Sequence, residues 1–428
     1  MRFALLFLAL AAPLVLTGCD GVFGSKDDAT TDEIFDEGQV DPTLLDEVGY
    51  VPLNPFYTQG AAGGTFDQPV DVYVGYDELI YVADAAGLHV LDLAGRPQRL
   101  VTEAAGQPLR AITAVVQDRS LDLLVAARRD TTLGDRTWDL PVVYRLSGVT
   151  TGAPTVEDIV WHPFDDRSRS NNQFRDPRTY SSGFSDEDAS FTDVAPLADN
   201  SFYVSRSGPV NTQGQGLPSI VRPFNGVLAF TEAGENTRYI SALSATQPSL
   251  LSAVYPSALA TPIGPPQRTT FTDAQDFFVA QDPPTQEVRY PVLSVLVVET
   301  PLGTEFRVNT DLLGVTANPD NGDGFLYEDF GMRGPTGLAI AADETGYLFA
   351  TDAETDSLYI FNRNGVEGVA PPPAAGSIRP VNVSFGGEGS GALSFRDPQG
   401  VAYFDRIVYV ADMGNNRIAR YRLNTDFE

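Results

Sequence analysis

From about residue 50 onward, apolar and polar positions alternate in short runs broken by Gly, Pro, Asn and Asp. A period of two with frequent turn residues predicts antiparallel strands, and no convincing amphipathic helix interrupts the pattern. Three stretches show it best: FDQPVDVYVGYDELIYVADAAGLHVLDLAG from Phe66, MRGPTGLAIAADETGYLFATDAETDSLYIFNRNG from Met332, and FRDPQGVAYFDRIVYVADMGNNRIARYRL from Phe395. Each reads as a Pro, a two-residue step, an apolar strand, a turn, a second strand ending at or near Asp, a small polar turn and a third strand. Recurrence of one such unit is the signature of a repeat architecture.

Three degenerate copies fill the middle. One joins Leu109 to Arg129 with Pro141 to Gly148, and another joins Phe191 to Gly208 with Asn225 to Gly234. The last runs from Phe271 to Asp282, then Pro291 to Glu299, and closes with Gly303 to Gly314. Residues 240 to 270 are rich in Pro and Ser and lack a hairpin pattern, although the gap leaves room for a seventh unit. The three clear copies resemble NHL repeats, the unit of a family of β-propellers. The resemblance implies an all-β, six-bladed β-propeller over residues 48–428. A propeller must close its ring or expose sheet edges. The final copy ends after its third strand at Arg422-Leu423, and Gly49 to Gly60 is an unassigned extended segment. That N-terminal segment is therefore expected to complete the last blade.

The first residues have a different character. Met1-Arg2 precedes an apolar run from Phe3 to Leu16, too short to span a bilayer and read as the core of a secretory signal. The run ends in Leu16-Thr17-Gly18-Cys19, which resembles a bacterial lipobox and implies acylation of Cys19, the sole cysteine. Residues 1–18 then form a lipoprotein signal peptide and 19–47 an acidic tether without sustained hydrophobic period. The implied location is the bacterial cell envelope, lipid-anchored and extracytoplasmic, periplasmic or at the cell surface.

Charge narrows the partners. The 428 residues carry 57 acidic and 28 basic side chains, a formal net charge of -29, and Lys26 is the only lysine. Such a surface repels phosphate backbones, so nucleic acid is disfavoured. A solubility surface and an acidic docking site are both compatible with it.

Candidate chemistry lies where the repeats depart from one another. The segment Arg128 to Leu140, with Arg128, Arg129, Arg136 and Trp138, reads as a long loop of the second unit, and Arg206 to Phe224 as a longer loop of the third. The link from Trp161 to Ser190, which includes His162, is polar and aromatic. Loops on a rigid scaffold are where a protein, peptide or glycan partner is expected. For the arginines, contact with a partner and pairing with nearby Asp are the two readings. A second constellation sits where the clear copies have Gly337 and Gly400, because other copies have Asp71, Asp193 and Asp273 there. Three carboxylates around one axis can hold Ca²⁺, or each can accept hydrogen bonds from backbone N–H groups. Asp84, Glu299, Asp352 and Asp412, aligned at the ends of second strands, read as turn acceptors.

Some NHL-like propellers are metalloenzymes. Only His89 and His162 are present, which excludes a His-rich zinc site, and there is neither a G-x-S-x-G elbow nor a cysteine in the folded part. The sequence thus supports a membrane-anchored binding or scaffold protein. A Ca²⁺-dependent lactonase-like or lyase-like enzyme is the alternative that the resemblance implies.

Overall fold

The structure, a computed structural model, describes residues 48–133, 136–150, 154–161, 187, 189–208, 226–240, 243, 253, 255–265, 274–282, 288–315, 324–371 and 379–427. Six four-stranded antiparallel sheets stand around an axis as the blades of an all-β propeller. In chain order their strands, inner to outer, are Asp71–Val74, Leu79–Asp84, Gly87–Asp92 and Pro97–Val101 in blade 1. Blade 2 has Arg110–Gln117, Leu123–Leu133, Arg136–Ser147 and Thr155–Trp161. Blade 3 has Ser190–Pro196, Phe202–Ser207, Gly226–Phe230 and Asn236–Tyr239. Blade 4 has Pro256–Ala260, Phe277–Gln281, Val292–Thr300 and Gly303–Val308. Blade 5 has Pro335–Ile340, Leu348–Asp352, Ser357–Phe361 and Phe385–Gly386. Blade 6 has Pro398–Phe404, Ile407–Asp412 and Arg417–Leu423, and its outer strand is Tyr50–Pro52.

The hydrophobic pattern follows from this stacking. Second strands are covered on both faces by neighbouring blades, so they read as nearly unbroken apolar runs: Ile80 to Asp84 and Val408 to Asp412 are buried throughout. Alternation survives where one face meets water, as in the inner strand Asp71–Val74 and the outer strand Gly303–Val308. The core is accordingly a series of layers between sheets. Tyr81, Val90, Val125 and Tyr144 fill the space between blades 1 and 2, while Leu124, Val143, Phe202 and Phe230 fill that between blades 2 and 3. A larger cluster with Tyr203, Phe277, Leu293 and Leu348 spans blades 3 to 5.

Blade 4 corrects the sequence reading. Its inner strand is Pro256–Ala260, inside the stretch that lacked a hairpin pattern, and Phe277–Gln281 is its second strand rather than its first. Glu299 therefore lies in the third strand. The register explains the assignment. Pro256 pairs with Gln281 as Pro335 pairs with Asp352 and Pro398 with Asp412, each at the end of a second strand and each followed by a bulge. Crowding at the axis selects small residues there. A Cβ on Gly337 would lie 2.4 Å from the Gln399 carbonyl oxygen, and one on Gly400 would lie 2.1 Å from an Asp71 carboxylate oxygen.

The N-terminal strand closes the ring as expected. Tyr50, Val51 and Pro52 pair with Leu423, Arg422 and Tyr421, and two backbone hydrogen bonds between Tyr57 and Ile418 extend the seam. Arg420 fastens it from the side. Its guanidinium lies 3.9 Å from the Tyr57 ring centroid and donates to Tyr57 Oη at 2.6 Å, Leu53 O at 2.9 Å and Pro55 O at 2.8 Å. The segment then passes to blade 1. There Ala61 N donates to Nδ1 of buried His89 at 2.8 Å, and His89 Nε2 lies 2.8 Å from Asp84 Oδ2.

Because Arg420 combines stacking with several charge-assisted bonds, Arg420→Ala is expected to lower unfolding stability by about 2–4 kcal/mol. Arg420→Lys should recover only part of this loss, since an ammonium lacks the planar fork. Denaturant midpoints measure both, and a Lys variant no better than Ala would count against the fork.

Candidate functional site

The six inner strands pass close to one another in a closed ring, and a repeated side chain ties them together. Thr113, Thr192, Ser257 and Thr336 occupy equivalent positions in blades 2 to 5. Each hydroxyl donates to a carbonyl of the next blade: Phe191 O at 2.7 Å, Pro256 O at 2.9 Å, Pro335 O at 2.6 Å and Pro398 O at 2.7 Å. Between blades 6 and 1 the backbone makes the link itself, from Gly400 N to Val70 O at 3.0 Å. This hydroxyl column is adjacent to the carboxylate column in the sequence, and aligning the position before Asp71 would have exposed it.

Asp71 and Asp193 are brought to the axis, one position further along. Asp71 accepts from Val72 N at 2.8 Å and from Val115 N of blade 2 at 2.7 Å. Asp193 accepts from Val194 N at 2.7 Å and from Leu259 N of blade 4 at 2.6 Å. One oxygen of each carboxylate thus fastens its blade to the next, and the other accepts from its own strand. Ala114 and Ala258 take the equivalent positions in blades 2 and 4, as Gly337 and Gly400 do in blades 5 and 6. Asp273 lies outside the described residues.

Asp71 and Asp193 line a cavity of about 100 Å³ on the axis, and no basic side chain is among its described lining. Burial pushes both carboxyl groups up, Asp193 to about 7, and the charge of Asp193 raises Asp71 further. The cavity has room for several waters. The donor set does not fit Ca²⁺, which takes roughly six to eight oxygen ligands. Here two carboxylates already accept backbone N–H bonds, and no group of three or more acidic, His or Cys side chains suited to a metal occurs among the described residues.

Above the cavity the channel opens into a mouth of about 360 Å³ with walls from all six blades, including Thr113, Thr192, Ser257, Asp282, Thr336 and Gln399. Asp282 follows the second strand of blade 4. Partial burial and the nearby carboxylates of Asp352, Glu354 and Asp397 push its carboxyl group up. It did not emerge from the sequence because the strands of blade 4 had been placed one step out of phase.

The arginine-rich segment is not a loop. Residues 128–133 and 136–140 extend the hairpin of blade 2, whose second and third strands run for 11 and 12 residues. Arg128 is committed within it: it pairs with Asp139 Oδ2 at 2.9 Å and donates to the carbonyls of Ala189, Asp139 and Glu187. Arg129 pairs across the hairpin with Leu140, and Arg136 pairs with Leu133 beside its turn. Trp138 is buried, as is Arg206 within the second strand of blade 3. Trp161 ends the outer strand of blade 2 opposite Val142, and His162 lies outside the described residues. For Arg128, pairing with Asp is the reading that holds.

Asp84, Asp352 and Asp412 are turn acceptors. Each takes an N–H from the approach to its own blade, at Asp67, Arg333 and Arg396. Asp84 and Asp352 also accept from the turns that follow them.

Solved structures share the fold. They include a gluconolactonase from Xanthomonas campestris, 12% identical over 89% of this chain and 91% of that one, with a TM-score of 0.45. An auxiliary nutrient binding protein from Bacteroides thetaiotaomicron is 8% identical over 88% and 77%, with a TM-score of 0.47. A streptogramin B lyase is 9% identical over 88% and 97%, with a TM-score of 0.39. No protein-family model matches the sequence, and no curated protein matches it.

A carboxyl group whose folded-state pKa is raised contributes stability below its ordinary value and loses it as pH rises through the folded value. Asp193→Ala installs the residue that blades 2 and 4 carry. The stability gap between the native protein and this variant should therefore shrink as pH rises from 3.8 through about 7. Melting temperatures across that range test it, and a gap that widens with pH would show a depressed pKa instead.

Proposed function

We propose that this chain is a lipid-anchored, extracytoplasmic binding protein of the bacterial cell envelope, which engages a protein, peptide or glycan ligand at the channel mouth. The observation that carries the reading is the funnel. Its mouth draws walls from all six blades and narrows to the smaller cavity below. A closed ring holds those walls without the ligand, and concave sites of a few hundred Å³ formed in advance are the usual form of a small-ligand or side-chain pocket. Cys19 behind its apolar run supplies the anchor in this reading, and the acidic tether places the propeller away from the membrane.

Ser207 lines the mouth, whereas Leu302 projects from the turn between the third and outer strands of blade 4, at the opposite end of the blade. Screening the purified chain against peptide and glycan arrays should yield ligands whose capture is lost in Ser207→Trp and kept in Leu302→Ala. Capture unaffected by Ser207→Trp would remove the mouth as the site.

The anchor is tested separately. In cells fed a labelled fatty acid, Cys19→Ser should lose the label and move from the membrane to the soluble fraction. Continued membrane association of the variant would contradict lipid anchoring.

A further inference from the structure

The mouth has an unusual polarity. The hydroxyls of Thr113, Thr192, Ser257 and Thr336 each possess one proton, and each commits it to a carbonyl of the next blade. What they turn toward the channel is lone pairs. Gln399 commits one amide N–H to Asp397 Oδ1 at 2.5 Å and keeps its amide oxygen as an acceptor. Asp282 adds an exposed carboxylate that makes no hydrogen bond or ion pair among the described residues. The described lining contains no Arg, Lys or His, and Ser207, Tyr255 and the second amide N–H of Gln399 are the side-chain donors there without an assigned acceptor. The cavity beneath continues the pattern with Asp71 and Asp193.

A ring of oriented acceptors beside one free carboxylate selects a ligand that brings donors and positive charge. We propose that the channel mouth is a site for a primary ammonium group, carried by a lysine side chain or an aliphatic diamine. The proposal rests on the binding reading above and specifies the chemistry of its ligand. An ammonium has three donors, no acceptor and a single charge on a slender stem. Neutral hydroxyls set around a circle suit that compact, rotatable cation better than the flat fork of a guanidinium, which finds its match in two parallel oxygens. A divalent metal would demand more charged oxygen than the mouth offers. Its size also suits a side chain or a small diamine.

Calorimetric titration of the full chain in detergent with diaminobutane, and with a lysine peptide blocked at its α-groups, tests the site and separates its two sources. Either amine should bind, and the Nε-acetylated peptide should not. Asp282→Asn should weaken binding about tenfold or more without lowering the melting temperature, because the carboxylate has no hydrogen bond or ion pair among the described residues and is repelled by Asp352, Glu354 and Asp397. Asp282→Arg, which sets a cation in the mouth, should abolish it. Added salt should weaken the native interaction. No binding of either amine, equal binding by Asp282→Asn, or displacement of the amine by a low concentration of Ca²⁺ would overturn the proposal. If array ligands are lost in Ser207→Trp while no amine binds, the binding reading stands and the ammonium assignment falls. If neither class binds, both fall.

Discussion

The architecture depends on one constraint: six sheets must meet around an axis at a spacing set by their inner strands, and each must be tied to the next. The tie is the hydroxyl-to-carbonyl bond made by Thr113, Thr192, Ser257 and Thr336, supplemented by the carboxylates of Asp71 and Asp193. Inner strands of adjacent blades belong to different sheets and share no ladder, so side chains must satisfy backbone groups that would otherwise face the channel. This requirement places a hydroxyl in the inner strands of blades 2 to 5 and a carboxylate at the position that follows in blades 1 and 3. It also fixes the channel's polarity, because protons spent between blades are withheld from the lumen.

Much of this was legible from repetition. Blades 1, 5 and 6 announced themselves because Asp84, Asp352 and Asp412 end second strands that are apolar on both faces, and their turns are short. The closing strand was legible because the last copy lacked a partner for Arg417–Leu423. Blade 4 was misplaced because Pro256–Ala260 is a short run of mostly small residues, separated from its partner Phe277–Gln281 by a long insertion. Small size is what the axis requires, so the strand most constrained by the fold gave the weakest hydrophobic signal.

The site was legible only in part. Asp71 and Asp193 were found by alignment, but whether they serve a ligand or the backbone is a matter of geometry, and all four oxygens proved to be occupied. Arg128 drew attention as positive charge in an acidic chain, yet its fork is used inside blade 2 and on the segment that leads to blade 3. The residues with capacity to spare are less conspicuous: a glutamine, a few hydroxyls and Asp282. No composition or spacing rule marks them, because what matters is where each donor proton is directed.

The closing seam has a consequence for how the molecule is made. Gly49 N reaches the side chain of Asn424 across a separation of 375 positions. During synthesis the outer strand of blade 6 emerges long before the three strands it must join. Blades 1 to 5 can assemble as local hairpins while the chain lengthens, whereas blade 6 can only be completed after nearly everything else. Until Arg417–Leu423 arrives, Tyr50–Pro52 is an unpaired strand whose correct partner does not yet exist. That strand must stay free of other pairings until the last turn of the ring is in hand.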